Sequence, residues 1–321
     1  MSNNATTTLT ANKRRNGLWK QICRRWQLYL FLIVPIAWLI TFCYVPMGGV
    51  QIAFKNFLPK KGIWGSEWVG FTHFVTFFKS FYFERTVVNT VIISLYSLGC
   101  SFPLSITFAL MMNIIVNAKF KKVVQTLTYM PHFISTVVLV GMLNQVFNPV
   151  TGLYGNVFRL FRPGEYPVDI LGKTGSFRHL YVWSGIWQNL GWNTIIYMAA
   201  LSGVDPELHE AAQIDGATRL KRVWYIDLPV LLPTASILLI MNAGSIMSVG
   251  FEKVYLMQNS LNLAQSEVIS TYVYKVGLGG TTNQLSYSAA IGLFNNVING
   301  FLLVSVNYLS KKLSDGNNSL F

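Results

Sequence analysis

Several apolar runs, each long enough to cross a bilayer, constrain this chain more than any other feature. A spanning helix needs ~20 largely apolar residues, because hydrocarbon offers no partner to a backbone N–H or C=O. Six segments meet that need, at about residues 28–48, 87–112, 123–147, 180–203, 229–249 and 287–309. Composition agrees: only 12% of the 321 residues are charged, against roughly 25% in a soluble domain. The predicted fold is therefore an all-α polytopic membrane protein with six transmembrane helices. The third segment is the least regular, and its Pro131 predicts a kink by removing one intrahelical hydrogen bond.

Basic residues orient these spans. With the N-terminus inside, 14 of the Lys and Arg residues fall on inner segments and 11 on outer ones. The inner positives cluster at span ends, as Lys119, Lys121 and Lys122, as Arg219, Lys221 and Arg222, and as Lys311 and Lys312. The positive-inside bias then predicts cytoplasmic termini and explains much of the +13 net charge without nucleic acid. The organisation expected is a basic cytoplasmic tail over 1–27, a six-helix transmembrane domain over 28–310 and a cytoplasmic tail over 311–321. The first apolar run has no small-x-small cleavage site ahead of it and reads as an uncleaved span. Cys23, Cys43 and Cys100 lack metal-like spacing and read as buried small hydrophobes. Outside, "WVGFTHFVTFFKSFYF" (68–83) suits an interfacial helix or a packed scaffold helix, and the Pro- and Gly-rich 148–179 reads as an ordered loop.

Catalytic signatures are missing. Gly172-Lys173-Thr174 has Pro167 where a phosphate-binding loop needs glycine, and no HExxH, CxxC or nucleophile elbow occurs. His73, His132, His179 and His209 are too scattered for a metal set and read as loop or packing histidines. The spans hold almost no acid or base, unlike a proton-relay transporter. Energy for transport would have to come from another polypeptide.

One inner connection, 204–228, is charged and too long for a turn. Asp205 is a good N-cap, Pro206 a good first helical residue, and Glu207 suits the first turn. Leu208, Ala211 and Ala212 share one narrow face, Gly216 breaks the helix, and a second short helix over about 217–227 leads into Leu228-Pro229. By residues alone this is either a hairpin packed on its own bundle or a docking knob, with Glu210, Arg219, Lys221 and Arg222 as charge contacts.

The run Glu210-Ala211-Ala212, Asp215-Gly216-Ala217, Ile226-x-Leu228-Pro229 resembles the EAA loop of permease subunits from binding-protein-dependent ABC importers. "YLFLIVPIAWLITFCYVPMGGVQIAFKNF" (29–57), "YMPHFIS" (129–135) and "GWNTIIYMAALSGVDPELHEAA" (191–212) are similar to LplB-type oligosaccharide permeases. The resemblance implies a type I ABC importer permease fold in a bacterial cell membrane, with the loop as a cytoplasmic coupling helix. It also implies a second permease, a cytoplasmic ATPase dimer and an extracytoplasmic sugar-binding protein as partners, with ATP and Mg used by the ATPase and no cofactor on this chain. Coupling would fall to Glu210, Ala211, Ala212, Asp215, Gly216, Ala217, Arg219, Leu228 and Pro229.

Sugars bind aromatic platforms and side-chain amides. Trp187, Gln188, Asn189, Trp192 and Asn193, then Asn242, Ser245 and Ser248, then Glu252 and Lys253, and finally Asn295, Asn296 and Asn299 are the candidates. Interhelical hydrogen bonding is the competing role for each. Resemblance to maltose-type permeases points to Gly185, Gln188, Asn189 and Trp192, with Gly250, Glu252 and Lys253, as cavity positions; Asn242 joins them as a candidate. A six-span secondary transporter or channel is the main alternative function, and it predicts intramembrane charge or inverted repeats.

Overall fold

The computed structural model describes residues 24–279 and 284–313. Two compact units divide at Val69 and Gly70. The basic tail expected over 1–27 lies outside the described residues up to Cys23, as does the C-terminal tail from residue 314.

In the first unit one helical rod runs over Trp26–Phe54. None of its residues from Trp26 to Met47 is buried, as suits a surface made for lipid. Cys43 accordingly is exposed, where the sequence reading buries it. The rod widens into a π turn at Ile40–Tyr44, two residues ahead of Pro46. Proline cannot donate to the carbonyl four residues back, and its ring crowds that carbonyl, so a wider turn relieves both problems. Beyond the rod, Lys55–Asn56 pairs antiparallel with Glu67–Trp68. Lys55 donates to the Ile63 carbonyl at 2.8 Å, and Phe54 stacks on Trp68 at 5.7 Å.

The second unit is helical, and a helix stands at each remaining predicted span. Phe81–Ile114, Arg219–Ala243 and Leu285–Lys312 are long and apolar enough to cross a membrane. Phe177–Leu201, 25 residues long, is the more polar helix at the fourth segment, and it packs most extensively on Phe81–Ile114. Three apolar clusters tie the helices together. Ile93, Val140, Phe177, Val254 and Val268 form one, Phe77, Met247, Ile269, Tyr287 and Ile291 a second, and Ala109, Tyr197, Leu201, Leu231 and Ala235 a third.

Three predictions need correction. The third segment is broken, not merely kinked: Ala118–Phe133 and Thr136–Val146 meet at 98°. Pro131 begins a 3-10 turn, Ile134 is extended, and the Ser135 side chain then caps a new helix by accepting from the Val138 N–H. The fifth segment was expected to reach residue 249, but its helix stops at Ala243. The freed strand is held by Asn299, whose Oδ1 accepts from the Met247 N–H at 3.0 Å and whose Nδ2 donates to Ser248 Oγ at 2.8 Å. Finally, the loop 148–179 contains a helix, Leu153–Phe161. Asn148 Oδ1 turns the chain by accepting from the N–H groups of Val150 and Thr151, and Leu153, Val157, Leu160 and Phe161 then recur at helical spacing.

The aromatic run around Phe77 has a packed side and an exposed side. Phe77 is buried among Phe83, Tyr272, Tyr287 and Phe294, whereas Phe71, Phe78 and Phe81 stay exposed.

Candidate functional site: a charged hairpin and a polar cavity

The hairpin begins as its sequence dictates. Asp205 Oδ1 accepts from the Glu207 N–H at 3.0 Å, Pro206 opens the helix Pro206–Ile214, and Thr218 caps the next helix through Lys221. Between them the Ala217 N–H reaches the Ala212 carbonyl and the Gly216 N–H reaches the Gln213 carbonyl. That pair of bonds is a Schellman motif, which requires a left-handed residue at the first position past the helix cap. Gly216 supplies it with φ +72, and nothing lies within 4 Å of where its Cβ would stand. Backbone conformation, not close packing, therefore explains this glycine.

The second helix does not end before the fifth span. Arg219–Ala243 is continuous, and widens into a π turn at Val223–Asp227 two residues ahead of Pro229, repeating the geometry before Pro46. Leu228 and Pro229 thus form the joint between hairpin and span. The hairpin is pinned from inside by Asp227, only 2% exposed. Its Oδ1 takes His209 Nε2 at 3.2 Å and Asn113 Nδ2 at 3.3 Å, which joins the first hairpin helix to the ends of the second and fifth spans. A cavity of about 510 Å³ beside this pin is lined by Glu210, Gln213, Arg219 and Arg222 among others. Glu210 makes no ion pair within the described residues. On the outer surface Leu208 and Ala211 are exposed, Ala212 is half-buried, and Asp215 and Arg219 face solvent. Ile214 is 88% and Leu220 68% exposed, a large apolar area for a hairpin that only packed on its own bundle.

The second region is a polar cavity of about 230 Å³, room for about a dozen waters. Ser97, Ser101 and Ser105 line it from the second span, Tyr181, Gly185, Gln188, Asn189 and Asn193 from the fourth, and Lys253 from the short helix Phe251–Met257. An adjoining cavity of about 180 Å³ shares Ser97, Ser101 and Tyr181 and adds Asn242, Ser245, Ser248 and Gly250. The structure thus brings Gly185, Gln188, Asn189, Lys253, Asn242 and Gly250 to one connected polar region. Trp192 and Glu252 are not among the residues lining it, and Glu252 is exposed.

Several of these side chains also hold the protein together. Gln188 Nε2 donates to the Ile134 carbonyl at 2.8 Å, and Asn189 Oδ1 pairs with His132 Nδ1 at 2.9 Å, so both grip the break in the third segment. Trp192 stacks on His132 with centroids 4.2 Å apart and planes within 6°. One face of the expected sugar platform is already covered by imidazole. Trp187 lines a separate apolar cavity of about 400 Å³ with Leu139, Met142 and Trp183. Asn299 bonds the fifth segment, Asn295 holds a buried Oδ1, and Asn296 is exposed.

Sequence reasoning named Ser245 and Ser248 but missed the serines of the second span and Tyr181. Their signal was present: Ser94, Ser97, Ser101 and Ser105 recur every three to four residues, one polar stripe on an otherwise apolar helix. Each small hydroxyl bonds readily to a carbonyl of its own helix, as Ser105 does to Ser101, so a serine stripe is easily taken for packing. The reading also passed over Glu267, which is buried with Arg85 at 3.4 Å and Lys275 at 3.3 Å. Among the described residues no group of three or more His, Cys, Asp or Glu could hold a metal.

Comparison with known proteins sets these two regions in a family. A profile described as "Binding-protein-dependent transport system inner membrane component" matches residues 101–315. Protein LplB of Bacillus subtilis (strain 168) is 41% identical over 285 residues, which covers 89% of this chain and 88% of that one. The polygalacturonan/rhamnogalacturonan transport system permease protein YteP of the same organism is 41% identical over 303 residues, 94% of this chain and 93% of that one. A chain of a bacterial ABC transporter involved in the import of the acidic polysaccharide alginate superimposes with a TM-score of 0.84 at 38% identity. That alignment covers 92% of this chain and 99% of the other.

Proposed function

The chain belongs to the family of binding-protein-dependent transport system inner membrane components, and from that premise we propose that it is one of two transmembrane subunits of an ATP-driven oligosaccharide importer. It works with a second permease, a cytoplasmic ABC ATPase dimer that consumes the ATP and Mg, and an extracytoplasmic binding protein. Its sugars are oligosaccharides cut from polysaccharides; two relatives are named for polysaccharides, polygalacturonan/rhamnogalacturonan and alginate. The observation that supports this reading is the hairpin 204–228, whose Leu208, Ala211, Ile214 and Leu220 are exposed and so offer apolar surface to a partner.

In this scheme the ATPase pushes on Pro206–Ile214, and Ala211 and Ala212 permit close approach. The push passes through His209 and Asp227 to the second and fifth spans at once. Those spans carry Ser97, Ser101 and Asn242 of the polar region, so a shift of the hairpin alters the walls of the solute path. Glu210, Arg219 and Asp215 contact the ATPase, Gly216 keeps the hairpin angle, and both chain termini face the cytoplasm.

Two measurements test the proposal. Purification of the tagged chain should bring down an ATPase and a second permease, and proteoliposomes of that complex with binding protein should take up oligosaccharide only with ATP inside the ATPase compartment. Uptake by the chain alone, driven by an ion gradient, would select the secondary-transporter alternative. A cysteine at Thr218 should resist an impermeant thiol reagent in intact cells, and rapid labelling there would reverse the topology.

A further inference from the structure

Among the described residues, Lys253 is the only formally charged one lining the two connected polar cavities. Its ammonium donates to the Tyr181 backbone carbonyl at 2.8 Å and lies 4.8 Å from the centroid of the Tyr181 ring. An ammonium has three N–H donors, so one is used and the π face partly serves the rest. No carboxylate within the described residues comes within ion-pair distance of it.

Elsewhere this unit treats a buried charge differently. Glu267, buried at the outer connection, has two cations, Arg85 and Lys275, within 3.4 Å. The Glu267 charge is neutralised internally, since an unpaired buried charge is costly to remove from water. Lys253 is instead left against a carbonyl and a ring. The fourth span makes room for it: a Cβ on Gly185 would stand 3.1 Å from the Lys253 nitrogen, closer than ordinary contact. Serine hydroxyls and the Asn193 amide share the same cavity, the donors and acceptors that sugar hydroxyls need.

We propose that Lys253 is the anion-recognition residue of this path, and that the solute is an acidic oligosaccharide whose carboxylate pairs with it. This inference rests on the oligosaccharide-import reading. Gly185 is its positioning residue, because a Cβ there crowds the ammonium and a branched side chain such as valine pushes it aside. The single cation also suits a carrier, which must release what it binds: one charge-assisted contact discriminates without trapping the solute.

The test uses the complete complex of both permeases and the ATPase in nanodiscs, without binding protein. The probes are labelled trigalacturonate and its methyl ester, which keeps the saccharide and replaces each carboxylate by a neutral ester, with sn-glycerol 3-phosphate as a phosphate-bearing anion that is not a saccharide. Wild type should bind the acid about 10-fold or more tightly than the ester, the range expected for one charge-assisted hydrogen bond. Lys253→Gln should erase that preference, Lys253→Arg should keep part of it, and subunit ratios after purification verify assembly. Gly185→Val should also erase it with Lys253 still present, which covers the case that Lys253→Gln fails to assemble. Equal binding of acid and ester by wild type, or an unchanged preference in both Lys253→Gln and Gly185→Val, overturns the proposal. Lys253-dependent binding of sn-glycerol 3-phosphate with no binding of either sugar would keep the anion role and overturn the oligosaccharide reading.

Discussion

The hairpin's turns are shaped by neighbours in sequence: Asp205 caps Glu207, Thr218 caps Lys221, and Gly216 closes bonds to residues within five positions. The polar cavity is shaped by strangers. Gln188 reaches 54 residues back to Ile134, Asn189 57 back to His132, and Lys253 72 back to Tyr181. The difference teaches where each region is vulnerable. A local motif fails when one backbone conformation is denied, whereas a cavity assembled from distant helices loses function by small displacements that leave every helix intact.

The largest effect should come from Gly216→Pro. Proline cannot reach φ +72, so the Schellman turn is lost, and transport and ATPase retention should collapse while both permeases still assemble. Gly216→Ala retains a rare left-handed residue at a cost of about 1–2 kcal/mol and should keep partial uptake. Retained ATPase in Gly216→Pro, measured per permease pair after purification, would show that hairpin geometry is not what docks the partner. Ala212→Trp tests the contact face instead, and should release the ATPase without moving Gly216.

Asp227→Ala should come next, because it takes the acceptor from the half-buried His209 and Asn113 donors, at about 1 kcal/mol for each hydrogen bond lost. Its signature should be a falling ratio of solute moved to ATP hydrolysed, since the hairpin still docks but no longer carries both spans. Asp227→Asn still offers an acceptor oxygen and should restore much of that ratio. If both variants transport with unchanged stoichiometry, the pin serves packing alone.

For the cavity, Gln188→Leu removes the bond that holds the Ile134 carbonyl at the 98° break, at about 1 kcal/mol. Thermal unfolding of the purified complex should register the loss. Trp192→Ala should be the mildest. It removes a stack on His132 worth about 0.5–1.5 kcal/mol, so the complex should soften slightly with little change in sugar affinity. A selective loss of affinity would instead return Trp192 to the solute path.

Much of this was legible before any coordinates. Pro131 announced an irregular third segment, since a missing N–H is a local fact, but not the size of the bend. That size depends on Ser135 starting a fresh helix and on Gln188 and Asn189 receiving the break from another span. Likewise nothing near residue 243 told the fifth helix to stop there. Asn299 accepts and donates to the unwound strand from 52 and 51 residues away, and only that partner makes the exposed backbone tolerable. The helix Leu153–Phe161 was readable in principle from its apolar spacing, and the surrounding Pro and Gly residues masked it.

By itself the sequence determined which segments are apolar enough to span, how the hairpin turns and which family motif it carries. Hydropathy, caps and a left-handed glycine act over a few residues and need no distant partner. Only tertiary structure decided that Ser97, Gly185 and Lys253 share one cavity, that Trp192 faces His132 rather than open space, and that Asp227 lies buried against Asn113 and His209. Those outcomes depend on which faces of separate helices meet. Periodicity marks the polar face of each helix but not its rotation or depth relative to the next, and packing alone sets both.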